Sequence, residues 1–152
     1  MPSIKGKLDN KRLLIDVGLQ PSLTATDYLG LANNSLTSYH KPLRGLIDTG
    51  AQITCITRQA AKDVGLTPRG KKLVGNVSNM EYHTAYSFVL GVWYGTDARD
   101  PQNSAAGYYG FEPVLGCDFK DNPDFDVLIG MDIILQGDLS VKRSGEFEWY
   151  LP

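Results

Sequence analysis

The residues of this chain best suited to chemistry are Asp48, Thr49 and Gly50, a triplet that occurs once, within Leu46-Ile47-Asp48-Thr49-Gly50-Ala51. Asp48 supplies a carboxylate at a turn between two apolar, strand-like runs. Thr49 adds a hydroxyl able to hydrogen-bond across a symmetric partner. Gly50 permits positive φ and a close approach of backbone to a bound chain. Two such carboxylates about 3 Å apart cannot both ionise cheaply, so they share a proton and titrate as a pair. The charged member then activates a water while the protonated member polarises a carbonyl, which is acid–base hydrolysis of an amide without a covalent intermediate. A single copy per chain means that the second carboxylate must come from another molecule. The same three residues are also a good turn sequence, so the tripeptide alone leaves both readings open.

Other residue types offer less. His83 with Cys55 or Cys117 would make a base and a thiol nucleophile, but Cys55 sits among Ile53 and Ile56, where a thiol is expected to be buried and inert. No Gly-x-Ser-x-Gly elbow and no phosphate-binding loop is present. The two cysteines are far apart in sequence and form no CxxC, and His40 and His83 are isolated, so neither a disulfide framework nor a metal site is expected. Asp126 and Asp132 flank Ile129-Gly130. Asp126 is expected to hydrogen-bond at a strand edge, and Asp132 to cap the short helix after Gly130.

The elements that must position the triplet read as mostly β. Short apolar runs separated by turn residues predict strands, with residues 3–8 and 13–19 as a hairpin around Asp9-Asn10-Lys11. Residues 22–39 read as a long connection with one helical turn near 28–32. Residues 43–48 enter the triplet and 53–57 leave it. Residues 58–64 form the one convincing helix, with Thr57 as its N-cap and Gly65 at its end. Residues 72–77 and 82–92 bracket a polar hairpin tip. Residues 94–110 read as a surface loop, 111–115 and 125–129 as strands, and 139–141 with 147–151 as a closing hairpin.

Together these pieces resemble a retroviral-type (retropepsin-like) aspartic protease, in particular its small stand-alone bacterial form. The matching parts are Leu46 to Ala51, the helix ending in Val64-Gly65-Leu66, and Val127-Leu128-Ile129-Gly130-Met131-Asp132. The resemblance implies an all-β, closed barrel-like protomer with one short helix, spanning residues 1–152 as a single domain. Within it, 1–42 is an N-terminal hairpin and connection, and 43–151 the family-like core. It further implies an aspartic endopeptidase with Asp48 catalytic, Thr49 and Gly50 in support, and no cofactor. Ala51, Asn76, Val77 and Ser78 would touch substrate, the last three at the tip of a flap within residues 74–85. The expected partners are a second copy of the chain and a peptide or protein substrate. A dimeric peptide-binding module with weak or no hydrolysis is the alternative. The C-terminal hairpin, with Phe147, Trp149 and Leu151 on one face, and the N-terminal strand are candidates for subunit pairing. The sequence departs from the viral pattern at Gln52 and Met131, where an acidic residue and an arginine usually pair.

Size and charge agree with such a protein. The 152 residues carry 42% hydrophobic and 21% charged residues and a formal net charge of −2, which gives no reason to expect nucleic acid. No apolar run reaches the ~20 residues needed to cross a bilayer, and the N-terminus lacks a secretory apolar segment, so no membrane partner and a cytoplasmic location are expected.

Overall fold

The computed structural model describes residues 2–22, 43–75, 79–95 and 107–152. The strands are β1 (Ser3–Lys7), β2 (Leu13–Pro21), β3 (Leu43–Ile47), β4 (Cys55–Thr57), β5 (Lys71–Gly75), β6 (Met80–Tyr94), β7 (Gly107–Phe119), β8 (Val127–Ile129), β9 (Asp138–Val141) and β10 (Glu146–Tyr150). Two short helices are described, α1 (Arg58–Val64) and α2 (Met131–Ile134). No described helix is long and apolar enough to cross a membrane.

Six strands close on themselves in the order β2-β3-β8-β4-β7-β6, with β6 returning to β2 through Val17↔Val92 and Leu19↔Leu90. This is the closed barrel that the resemblance implied. Its interior is filled by Val17, Ile47, Ile56, Phe88, Leu90, Val92, Val127 and Ile129, all buried. Closure removes the open strand edges that would otherwise template aggregation. Beyond the barrel, β5 extends the free half of β6 as a hairpin, with Leu73↔Tyr82 and Gly75↔Met80 in register. The helical turn foreseen near residues 28–32 lies outside the described residues, as do Asn76, Val77 and Ser78.

A second sheet, β1-β10-β9, packs on the barrel. The alternation Glu146-Phe147-Glu148-Trp149-Tyr150 has the period of a half-buried strand, and it buries Phe147 and Trp149 while exposing Glu146 and Tyr150. Trp149 stacks on Phe111 of the barrel at 5.6 Å, and its indole N–H donates to Ile134 O at 3.3 Å. Leu151 is equally buried. The face formed by Phe147, Trp149 and Leu151 is therefore buried within the protomer.

Two expectations are corrected. The turn at Asn10-Lys11 is present, with positive φ at both residues and an Asp9↔Arg12 bridge. Its flanking strands nevertheless part company: β1 pairs with β10, and β2 with β3 and β6. The stretch 94–110 is not all loop, since β6 runs to Tyr94 and β7 starts at Gly107. Helix α1 forms as read. Thr57 accepts a hydrogen bond from Ala60 N at 3.1 Å, and Gly65 is left-handed with φ 78; such a cap contributes about 1 kcal/mol.

Candidate active site

The Asp48 turn joins β3 to β4, but β8 lies between those two strands. The chain must therefore arch over the end of β8, which runs parallel to β3 and antiparallel to β4. That crossover holds the triplet. Asp48 N donates to Ile129 O at 2.9 Å, Met131 N to Ala51 O at 2.8 Å, and Asp132 N to Gln52 O at 3.2 Å. Each of these bonds runs between the arch and the β8–α2 segment, so the two sequence signatures meet as one structure.

Glycine at 130 is required for that meeting. A Cβ there would lie 2.6 Å from the Ile53 carbonyl carbon and oxygen, which are backbone atoms with no room to yield. Gly50 plays a different part from the one expected. It does not adopt positive φ; its N–H donates to Asp48 Oδ1 at 2.9 Å, and a Cβ would sit 3.2 Å from that same oxygen. Asp48 is half-buried, while Thr49 and Gly50 are exposed. The carboxylate is thus oriented from within its own turn and presented at the surface.

Beneath the arch is a residue the sequence reading overlooked. Thr54 is completely buried. Its hydroxyl donates to Asp132 Oδ1 at 2.7 Å and accepts from Gly130 N at 3.0 Å, while its N–H donates to Asp132 Oδ2 at 3.1 Å. Asp132 also accepts from Ile133 N at 3.0 Å, so it serves α2 as expected and ties that helix to the strand leaving the triplet. A polar residue between Ile53 and Cys55, in an otherwise apolar run, was the available signal. Where viral enzymes usually pair charges, Gln52 and Met131 instead contribute backbone bonds across the arch. Asp126 accepts from Arg44 N at 2.9 Å, the strand-edge role read for it.

The remaining reactive types separate from the triplet. His83 faces Asp118 and Glu81 at 3.6 and 3.7 Å, and Asp118 also accepts from Thr84 N at 3.1 Å, which fastens the base of the β5–β6 hairpin to β7. Arg58 of α1 approaches Asp118 at 3.6 Å from the other side. Cys55 and Cys117, distant in sequence, are register partners on β4 and β7 with their sulfurs 3.1 Å apart. A cavity of about 380 Å³ is lined by Arg69, Lys72, Ala85, Tyr86, Leu115 and Gly116 among others, and not by the Asp48 turn.

Comparison with known proteins agrees with this geometry. A retropepsin-like aspartic protease from Rickettsia conorii, known from its crystal structure, matches with a TM-score of 0.56 over 98% of this chain and 90% of that one, at 12% sequence identity. At that identity the likeness is one of fold. No curated protein matches the sequence. The sequence model of the aspartyl protease family matches residues 32–133, which takes in the arch, the β5–β6 hairpin and the β8–α2 segment. The chain belongs to the aspartyl protease family, and its fold is retropepsin-like.

Proposed function

We propose that this protein is an aspartic endopeptidase whose active site forms between two copies of the chain, each giving one Asp48. The observation that carries the reading is a single half-buried carboxylate on an arch braced by backbone bonds to the β8–α2 segment. Fixed positioning is what acid–base chemistry needs, since a catalytic group contributes only from a defined geometry. Two such arches facing across a two-fold axis would set the carboxylates side by side, the commonest symmetry for identical sites.

In that pair one proton is shared. The ionised Asp48 takes a proton from water, the resulting oxygen nucleophile attacks the peptide carbonyl, and the protonated Asp48 donates to the carbonyl oxygen. Collapse of the tetrahedral intermediate then transfers a proton to the leaving amine. Thr49 supports the dyad, and Gly50 with Ala51 admits the substrate backbone. The β5–β6 hairpin is the natural flap, with Asn76, Val77 and Ser78 touching substrate from its tip. Strands β1 and β2, joined by one tight turn, enter different sheets, which supports a single domain through residues 1–152. Two free thiols support a reducing, cytoplasmic setting.

The alternative is a peptide-binding dimer of the same fold, favoured by Gln52 and Met131, which supply no charged pair between the two signatures. Asp48→Asn separates the two. On a peptide library, the variant is expected to lose roughly 10³-fold or more of the cleavage rate, within the range of general acid–base catalysis. Peptide binding and sedimentation should stay as in the wild type. Cleavage that survives the substitution overturns the assignment of Asp48.

A further inference from the structure

The contact between Cys55 and Cys117 has no part in the chemistry above. Their Sγ atoms are 3.1 Å apart, closer than the roughly 3.5–4.0 Å at which non-bonded heavy atoms pack best. The sulfurs are therefore not two small apolar groups in contact; they share a proton in a hydrogen bond. The bond between them, together with burial, pushes the Cys55 thiol above its ordinary range and draws Cys117 below its own.

The backbone is already placed for a covalent bond. Neighbouring strands lie about 4.8 Å apart, within the ~4.4–6.8 Å that disulfide Cα atoms span. Cys55 and Cys117 are direct partners in the parallel β4–β7 register. Bringing the sulfurs from 3.1 Å to about 2.05 Å takes a movement of roughly 1 Å, shared between two side chains. Access is graded: Cys117 is 1% exposed, whereas Cys55 is only partly buried. Ala85, the register partner of Cys117 on β6, and the adjoining Gly116 line the cavity described above.

We propose that Cys55 and Cys117 are an oxidisable dithiol that closes, with a peroxide as oxidant, to an intramolecular disulfide between β4 and β7. Peroxide oxidises one of the two sulfurs, as its thiolate, to a sulfenic acid and releases one water. The other Sγ attacks that sulfur, the S–O bond breaks, and the oxygen leaves as a second water with the remaining thiol proton. Two electrons pass from the sulfurs to the O–O bond, and a dithiol reductant reverses the change. Cys55 directly follows Thr54, the anchor of the Asp48 arch, so the bond pulls on the support of the carboxylate. Displacements of that size cost up to about 10²-fold in rate at a positioned site. This effect on cleavage, unlike the disulfide itself, rests on the protease reading.

The test treats the reduced, full-length protein with hydrogen peroxide and follows intact mass, thiol count after denaturation, and the peptide map. The expected result is a loss of about 2 Da, disappearance of both thiols, a Cys55–Cys117 cross-linked peptide and full reversal by dithiothreitol. A gain of roughly 32 or 48 Da, as sulfinic or sulfonic acid, overturns the proposal. So does cross-linking between chains, or survival of both thiols under peroxide that oxidises free glutathione. Cys55→Ala should abolish the 2 Da loss, and the wild-type result decides the matter if that variant does not fold. Cleavage by the same oxidised sample is expected to fall roughly tenfold and to recover on reduction, and unchanged cleavage by fully cross-linked protein overturns the coupling. A failure of the protease reading shows separately, in the reduced sample before peroxide is added.

Discussion

Thr54→Val tests whether the buried hydroxyl holds the arch. The substitution keeps the shape of the side chain and removes a hydrogen bond on each side. On one side it strands Gly130 N, a buried donor that gives its hydrogen bond to that hydroxyl at 3.0 Å. Leaving a buried N–H unmade costs about 1–3 kcal/mol. On the other side it removes the 2.7 Å bond to Asp132 Oδ1. Bonds to charged groups contribute about 1.5–3 kcal/mol, but the low end applies because Asp132 is exposed and water can replace the donor. The bond from Thr54 N to Asp132 Oδ2 involves only backbone and survives.

The sum is about 3 kcal/mol. Urea unfolding would register it as a midpoint lowered by about 1.5 M at a slope near 2 kcal/mol/M, with the slope itself unchanged. Thr54→Ser keeps both bonds and loses one methyl, so it should cost about 1 kcal/mol. The order of the two variants carries the argument. If the valine variant loses no more stability than the serine variant, the hydroxyl does not hold the arch, whatever its distances.

Two other expectations concern packing and titration. Gly130→Ala drives a Cβ to 2.6 Å from the Ile53 backbone and should cost about 3 kcal/mol in the same unfolding assay, because neither strand end can withdraw without breaking the bonds across the arch; wild-type stability would show that the crossover is looser than described. Tyr108 lies over Gly91, and burial pushes its phenol up from 10.0 to about 12. Its folded pKa is raised, so the folded state holds the proton longer. The associated stability is complete below pH 10 and is lost as pH rises through about 12. The residue is still 43% exposed, which keeps the effect small. Spectrophotometric titration of the folded protein should show a late phenolate that vanishes in Tyr108→Phe, and an unchanged titration curve would refute the burial argument.

The local features of this fold were legible because they are written in adjacent residues. Thr57 and Gly65 frame α1, Asn10-Lys11 turns the chain, and Asp48-Thr49-Gly50 lies between apolar runs. The hairpins β5–β6 and β9–β10 were legible too, but long-range pairing was not, since it is decided by distant partners. The turn after β1 suggested a hairpin, yet Ile4 finds Trp149 across the molecule, where an aromatic stack on Phe111 offers more buried apolar surface than a two-stranded ribbon could. The strand ends near residues 94 and 107 were hidden for another reason. Glycines weaken strands, and here aromatic rings compensate: Tyr94 covers Gly107 and Tyr108 covers Gly91. The composition of that stretch looked like loop because the cover comes from the opposite strand.

The same distinction bears on how the candidate site would be assembled. Bonds within one chain orient the Asp48 arch: Ile129 O to Asp48 N, Ala51 O to Met131 N, and the Thr54–Asp132–Gly130 cluster beneath. In the two-subunit site proposed above, association would therefore not have to fold the turn. It would have only to bring two finished turns together. Losing the charged pair at positions 52 and 131 then costs the arch nothing, because backbone bonds between the same two segments already hold it. The demand falls instead on the contact between copies, and the face of Phe147, Trp149 and Leu151 is buried within each protomer. Among the described residues the edge strands of the small sheet are β1 and β9, and β1 accepts a further backbone bond from Gly95 N at Ser3 O. An edge offers main-chain hydrogen bonds without requiring a large apolar patch, so an association built there would be weaker per contact and more responsive to a peptide that both copies hold.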